Sequence, residues 1–94
     1  MVKLDKITQL ALQIVNLLEE KNALYGNSYK ETRDEYGYIA FLVRLQDKVN
    51  RVKTLYTKEN LPKSEEAIED TLKDIIGYCL LELAYLKQKQ GGKT

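Results

Sequence analysis

Apolar residues recur at three- and four-residue steps along most of this chain, the spacing that lines one face of an α-helix. Between about Leu4 and Tyr25 the stripe is Leu4, Ile7, Leu10, Ala11, Ile14, Leu17 and Leu18, with Lys6, Gln9, Gln13, Asn16, Glu19 and Glu20 mostly off it. No proline interrupts this helix, and Gly26 is placed to end it, since glycine best tolerates the left-handed cap conformation. The next stretch, to about Arg33, reads as a corner, because Asn27 and Ser28 have side chains that bond nearby backbone in turns. A second helix is predicted from about Asp34 to Tyr56, with Tyr38, Phe41, Leu42, Leu45, Val49, Val52 and Tyr56 as its stripe. Asp34 suits its N-cap or first turn, and Gly37 is early enough to be tolerated. Residues 57–63 read as a linker, because Pro62 blocks the preceding helix from continuing through it. Ser64 is placed as the N-cap of a third helix, with Glu65 and Glu66 in the first turn where the helix dipole favours acids. That helix runs to about Lys89 on Ile68, Leu72, Ile75, Ile76, Cys79, Leu80, Leu83 and Leu86. Residues 91–94 read as a frayed tail.

The expected architecture is all-α, an antiparallel bundle of three long helices in a single domain over residues 1–90. At 94 residues with 44% hydrophobic content, a core is within reach and disorder is not expected. Three such helices leave apolar surface on one edge, so a homo-oligomer is expected to complete the bundle.

Charge narrows the partners. Charged residues make up 31% of the chain, yet the formal net charge is only +1. Duplex DNA held by phosphate neutralisation needs a basic surplus, so it is not the expected partner. A small anionic ligand remains open, because local clusters can hide in a neutral total. There is no histidine and a single cysteine, Cys79. An internal disulfide is thereby excluded, and Cys79 lacks the histidine base of a Cys-His pair. No signal peptide or membrane span is recognised, so the expected location is cytoplasmic.

The polar chemistry concentrates in three blocks. The run Lys21-Asn22-Ala23-Leu24-Tyr25-Gly26-Asn27-Ser28-Tyr29 puts an amine, amides, a hydroxyl and two phenols between helices. Arg44, Asp47, Lys48 and Arg51 fall at i, i+3, i+4 and i+7 and share a helical face. That face is either a solvated surface with internal ion pairs or an anion-binding row. Asp70 and Asp74 are four apart and point the same way. They are either an acidic face paired across the bundle with Arg44, Lys48 or Arg51, or ligands for Mg²⁺. Gly77, inside the third helix, suggests close helix approach or room for a ligand, with Tyr78 facing the same space. Seven tyrosines against one phenylalanine suit either a partly wet core edge or base stacking.

The order Lys21-Asn22-x-x-Tyr25-Gly26-Asn27-Ser28, then Arg44-x-x-Asp47-Lys48-x-x-Arg51, then Glu69-Asp70-Thr71-x-x-Asp74-x-x-x-Tyr78 resembles the type 1 nucleotide-modification-associated domain family over roughly residues 21–86. That family is small, helical and frequent in phage and prophage genomes. The resemblance implies a link to phage nucleotide metabolism. It marks Lys21, Asn22, Tyr25, Gly26, Arg44, Asp47, Lys48, Arg51, Asp70, Asp74 and Tyr78, with Asn27 and Ser28 beside them, as the positions to examine. A looser likeness is to the all-α MazG-like nucleoside triphosphate pyrophosphatases, which hold Mg²⁺ with paired acidic motifs on two helices. Here Glu31 and Asp34 precede the second helix and Glu66-x-x-Glu69 precedes Asp70 on the third, a departure from that pattern.

Three functions are thus expected to compete. The first is nucleotide binding, including sequestration of a modified or cyclic signalling nucleotide by a phage. The second is Mg²⁺-dependent nucleotide pyrophosphohydrolysis, and the third a helical interaction protein without a small ligand.

Overall fold

The computed structural model describes residues 4–25, 27–58 and 65–91. Among them the structure is all-helical: α1 (Leu4–Tyr25), α2 (Ser28–Tyr36), α3 (Ile39–Thr57) and α4 (Glu65–Gly91). The expected N-cap at Ser64, Pro62 and most of the linker lie outside the described residues. So do Gly26 and residues 92–94 of the expected tail, while Gly91 closes α4.

The first helix stands where the stripe placed it. Ile14 is buried on it and Leu18 half-buried, whereas residues 5–13 are exposed along their whole length. Its main support is α4. The approach is close at Gly77: a Cβ there would lie 3.3 Å from Leu18 Cδ2. The glycine is therefore used for helix proximity, which offsets a loss of about 1 kcal/mol in helix propensity relative to alanine.

The corner and the second helix need correction. The chain becomes helical again at Ser28: the Glu31 N–H donates to Asn27 O at 3.0 Å, and the Thr32 hydroxyl returns a bond to Ser28 O. Lys30 and Asp34, one turn apart, pair at 2.8 Å on the solvent side. Asp34 thus lies in the last turn of α2 and caps nothing. Gly37 does not sit inside a helix. It ends α2 with φ at 75°, its N–H bonded to Arg33 O at 2.9 Å, and no atom crowds the space where a side chain would stand. Backbone conformation selects glycine here. The predicted single helix from Asp34 to Tyr56 is therefore two, and the long-helix count of three becomes three plus a short α2.

The third and fourth helices run antiparallel, since Arg44 meets Tyr78 and Lys48 meets Asp74. Phe41, Leu45, Val52 and Leu55 of α3 are half-buried. Tyr38, Leu42, Val49 and Tyr56, expected in the same stripe, are exposed. On α4 the deeply buried positions are Thr71, Gly77 and Tyr85. Thr71 satisfies its hydroxyl on Ala67 O at 2.7 Å, within its own helix. Leu72, Ile76, Leu83 and Leu86, also expected in the core, are exposed. The core of one chain is thin, and α4 is apolar on more sides than one chain covers.

Candidate functional site

A clamp between α2 and α4 sets the position of the site. Glu82 accepts two bonds from Arg33, Nε at 2.9 Å and Nη2 at 3.1 Å, and a third from the Tyr29 hydroxyl at 2.6 Å. Three residues along, the Tyr85 hydroxyl donates to Asp34 Oδ1 at 2.6 Å, and the Arg33 guanidinium lies 4.6 Å from the Tyr85 ring centroid. The bidentate geometry is the strong form of an arginine–carboxylate pair. The hydrogen bonds from Arg33 hold the Glu82 carboxyl below the usual glutamate range, against the opposing effect of burial. Burial, reinforced by Glu82, pushes the Tyr29 phenol well above its ordinary value, so it stays a proton donor. Asp34 is likewise lowered, first by Lys30 and then by Tyr85.

With α2 fixed in this way, Ser28 and Tyr29 close one end of a cavity of about 160 Å³ between α1, α2 and α4. Ile14, Leu18 and Leu81 supply apolar walls, and Lys21, Asn22, Asp74 and Tyr78 supply polar ones. Gly77 is part of the lining, so its missing side chain serves both the α1 contact and the space. On the α3 side an open groove of about 650 Å³ is lined by Arg44, Asp47, Lys48, Asn50, Arg51 and Tyr78. Tyr78 is common to both. Arg44 Nη1 donates to the Tyr78 hydroxyl at 3.4 Å, with its guanidinium carbon 5.6 Å from the ring centroid. Lys48, in the groove, pairs at 3.0 Å with Asp74, in the cavity.

Most of the residues singled out from the sequence are thereby brought together: Lys21, Asn22, Ser28, Asp74 and Tyr78 at the cavity, and Arg44, Asp47, Lys48 and Arg51 at the groove. Asn27 lines an adjoining recess of about 210 Å³ that shares Asn22 and Tyr29 with the cavity. Gly26 and the Tyr25 side chain lie outside what is described. Asp70 is exposed one turn before Asp74 and lines neither space. Among the described residues no three acidic, cysteine or histidine side chains converge as a metal site. Sequence reasoning missed Arg33, Glu82 and Tyr85, which hold α2 in place. A charge inside an apolar stripe, Glu82 between Leu81 and Leu83, is the one signal that points to them.

Comparison with known families decides the relationship. The profile of nucleotide modification associated domain 1 matches residues 21–86. The chain belongs to that family. The matched segment begins at Lys21 on the cavity wall and takes in the whole α3 groove. The apolar wall from Ile14 to Leu18 precedes it. No curated protein matches the chain, and no solved structure does. Among the described residues no helix is long and apolar enough to cross a membrane.

Proposed function

We propose that this member of the nucleotide modification associated domain 1 family binds a nucleotide across Tyr78. The base occupies the cavity between α1, α2 and α4, and the phosphates lie along the α3 groove. The observation that carries this reading is that one aromatic ring borders both spaces. The cavity has the mixed character that suits a base: apolar walls, two phenols, an amide at Asn22 and a hydroxyl at Ser28. The groove offers three cations against one carboxylate, two of them arginines able to make bidentate contacts to phosphate oxygens. Arg51 is exposed in the groove and makes no ion pair with another described residue.

Hydrolysis is the weaker reading because, among the described residues, the carboxylates do not converge. Asp34 is tied to Lys30 and Tyr85, Asp74 is tied to Lys48, and Asp70 faces solvent. Any Mg²⁺ would arrive with the phosphates and keep most of its waters. For a phage-encoded protein of this family, binding without turnover would withhold a modified or cyclic signalling nucleotide in the cytoplasm of the host.

The test is a nucleotide panel with and without Mg²⁺, read by melting temperature and by chromatography of the ligand. Binding predicts stabilisation of about 2.7 kcal/mol at a hundred-fold excess over Kd, with the ligand recovered intact. Mg²⁺-dependent release of phosphate or diphosphate would replace this reading with an enzyme. No shift with any nucleotide would leave a helical interaction protein.

A further inference from the structure

The helix α4 carries a second apolar face that its own chain leaves open. Leu72, Ile76, Cys79, Leu83 and Leu86 follow one another by four, three, four and three residues, the a/d spacing of a coiled-coil seam. Four of the five are exposed: Leu72 at 39%, Ile76 at 46%, Leu83 at 55% and Leu86 at 39%. The α1, α2 and α3 contacts use other positions, namely Gly77 for α1, Glu82 and Tyr85 for α2, and Asp74 and Tyr78 for α3. A helix with a second apolar stripe, beside the one that its own chain uses, presents a face suited to a further partner.

We infer that this seam is covered by the same seam of a second copy of the chain, packed antiparallel about a two-fold axis near Cys79. The exposed area leaves room for a partner of that size. The chain exposes 7747 Å² at a mass of 10.9 kDa. A compact monomer of that mass exposes about 5600 Å². The surplus, about 2100 Å², is spread over the chain, the exposed residues 5–13 of α1 included, and it is larger than the roughly 800 Å² per partner that a standard interface buries. Charge sets the direction. The first turns of α4 carry Glu65, Glu66, Glu69 and Asp70, and the last carry Lys87 and Lys89. An antiparallel pair sets the acidic end of each helix against the basic end of the other, whereas a parallel pair stacks like charges. A two-fold axis also makes the patch self-complementary: Leu72 faces Leu86 of the partner subunit, and Cys79 lies at the axis. The cavity residues Lys73, Asp74, Gly77, Tyr78 and Leu81 are outside the seam, so each copy keeps its own site.

The test is sedimentation equilibrium over a concentration series, with mild oxidation as a second readout. Wild type is expected at twice the chain mass, and oxidation is expected to link it through Cys79, the one cysteine of the chain. Cys79→Ser is expected to lose the link and keep the mass. Ile76→Glu and Leu83→Glu are each expected to shift the protein to the single-chain mass, with helical circular dichroism and nucleotide response retained. A wild type that stays at the single-chain mass would overturn the inference and leave the face to a different protein. So would a dimer that does not link through Cys79, or one that survives both glutamates. Neither mass nor cross-linking depends on the nucleotide reading, so the two can fail separately.

Discussion

Lys48 and Asp74 meet at 3.0 Å where the α3 groove joins the α4 cavity. Both side chains are partly exposed, at 27% and 34%. A pair this wet contributes about 0.2–1 kcal/mol at most, too little to be the reason the helices associate. Its effect is local: it holds the Lys48 ammonium at the boundary and places a carboxylate beside the space proposed for phosphate. Asp74→Asn removes that carboxylate and frees Lys48. The expected result is nucleotide affinity raised by up to about five-fold, measured by calorimetry, because the ligand no longer competes with an ion pair of that strength. Were Asp74 a metal ligand for hydrolysis, the same change would abolish the response.

Arg51→Ala removes a groove cation that makes no ion pair with another described residue. A hydrogen bond to a charged group contributes about 1.5–3 kcal/mol, so affinity for a nucleotide is expected to fall about ten- to a hundred-fold. The melting temperature without ligand should be unchanged, since Arg51 is exposed on α3. Affinity for the matching nucleoside, which has no phosphate, should be unaffected.

The α2 clamp makes a pH prediction. Glu82 is held below the ordinary glutamate range chiefly by its bonds from Arg33. A carboxyl depressed on folding adds stability that is complete above its unfolded value and is lost as pH falls through its folded one. Melting temperature is therefore expected to drop on acidification below the usual glutamate range. Glu82→Gln should flatten that part of the profile and cost about 1–3 kcal/mol at neutral pH by leaving Arg33 without its carboxylate. An acid limb of the same slope in both proteins would contradict the clamp.

Gly77→Ala tests the approach of α1. Alanine gains about 1 kcal/mol in helix propensity, but its methyl meets Leu18 at 3.3 Å. The two effects are expected to offset one another nearly completely in the wild-type background. In a Leu18→Ala background the crowding is gone, and the full gain should appear in denaturant unfolding. Equal effects in both backgrounds would show that α1 does not press on Gly77.

The long helices were legible because their apolar residues keep a single period over many turns. The break at Gly37 was not. Tyr38 extends the α3 stripe backwards from Phe41 and Leu42 at helical spacing, and nothing local distinguishes a tolerated glycine from one that must take φ at 75°. The α2 helix was hidden for a related reason: it is short, polar, and held by Arg33 and Tyr29 reaching Glu82 about fifty residues away. A contact at that separation leaves no periodic trace. The Lys48–Asp74 pairing was anticipated as one of several cross-bundle options, since complementary charges on two facing helices are readable without coordinates. The division of α4's apolar residues between an inner and an outer face was not, because a helix that is apolar on several sides gives no clue to which neighbour takes which.

The most direct test of the nucleotide reading is a titration followed by the backbone amide spectrum of isotopically labelled protein. A single saturable step is expected to move Asn22, Gly77 and Tyr78 together with Arg44 and Arg51, because one ligand spans both spaces. Shifts confined to the α3 residues, or cavity and groove responding at separate concentrations, would contradict a shared nucleotide site.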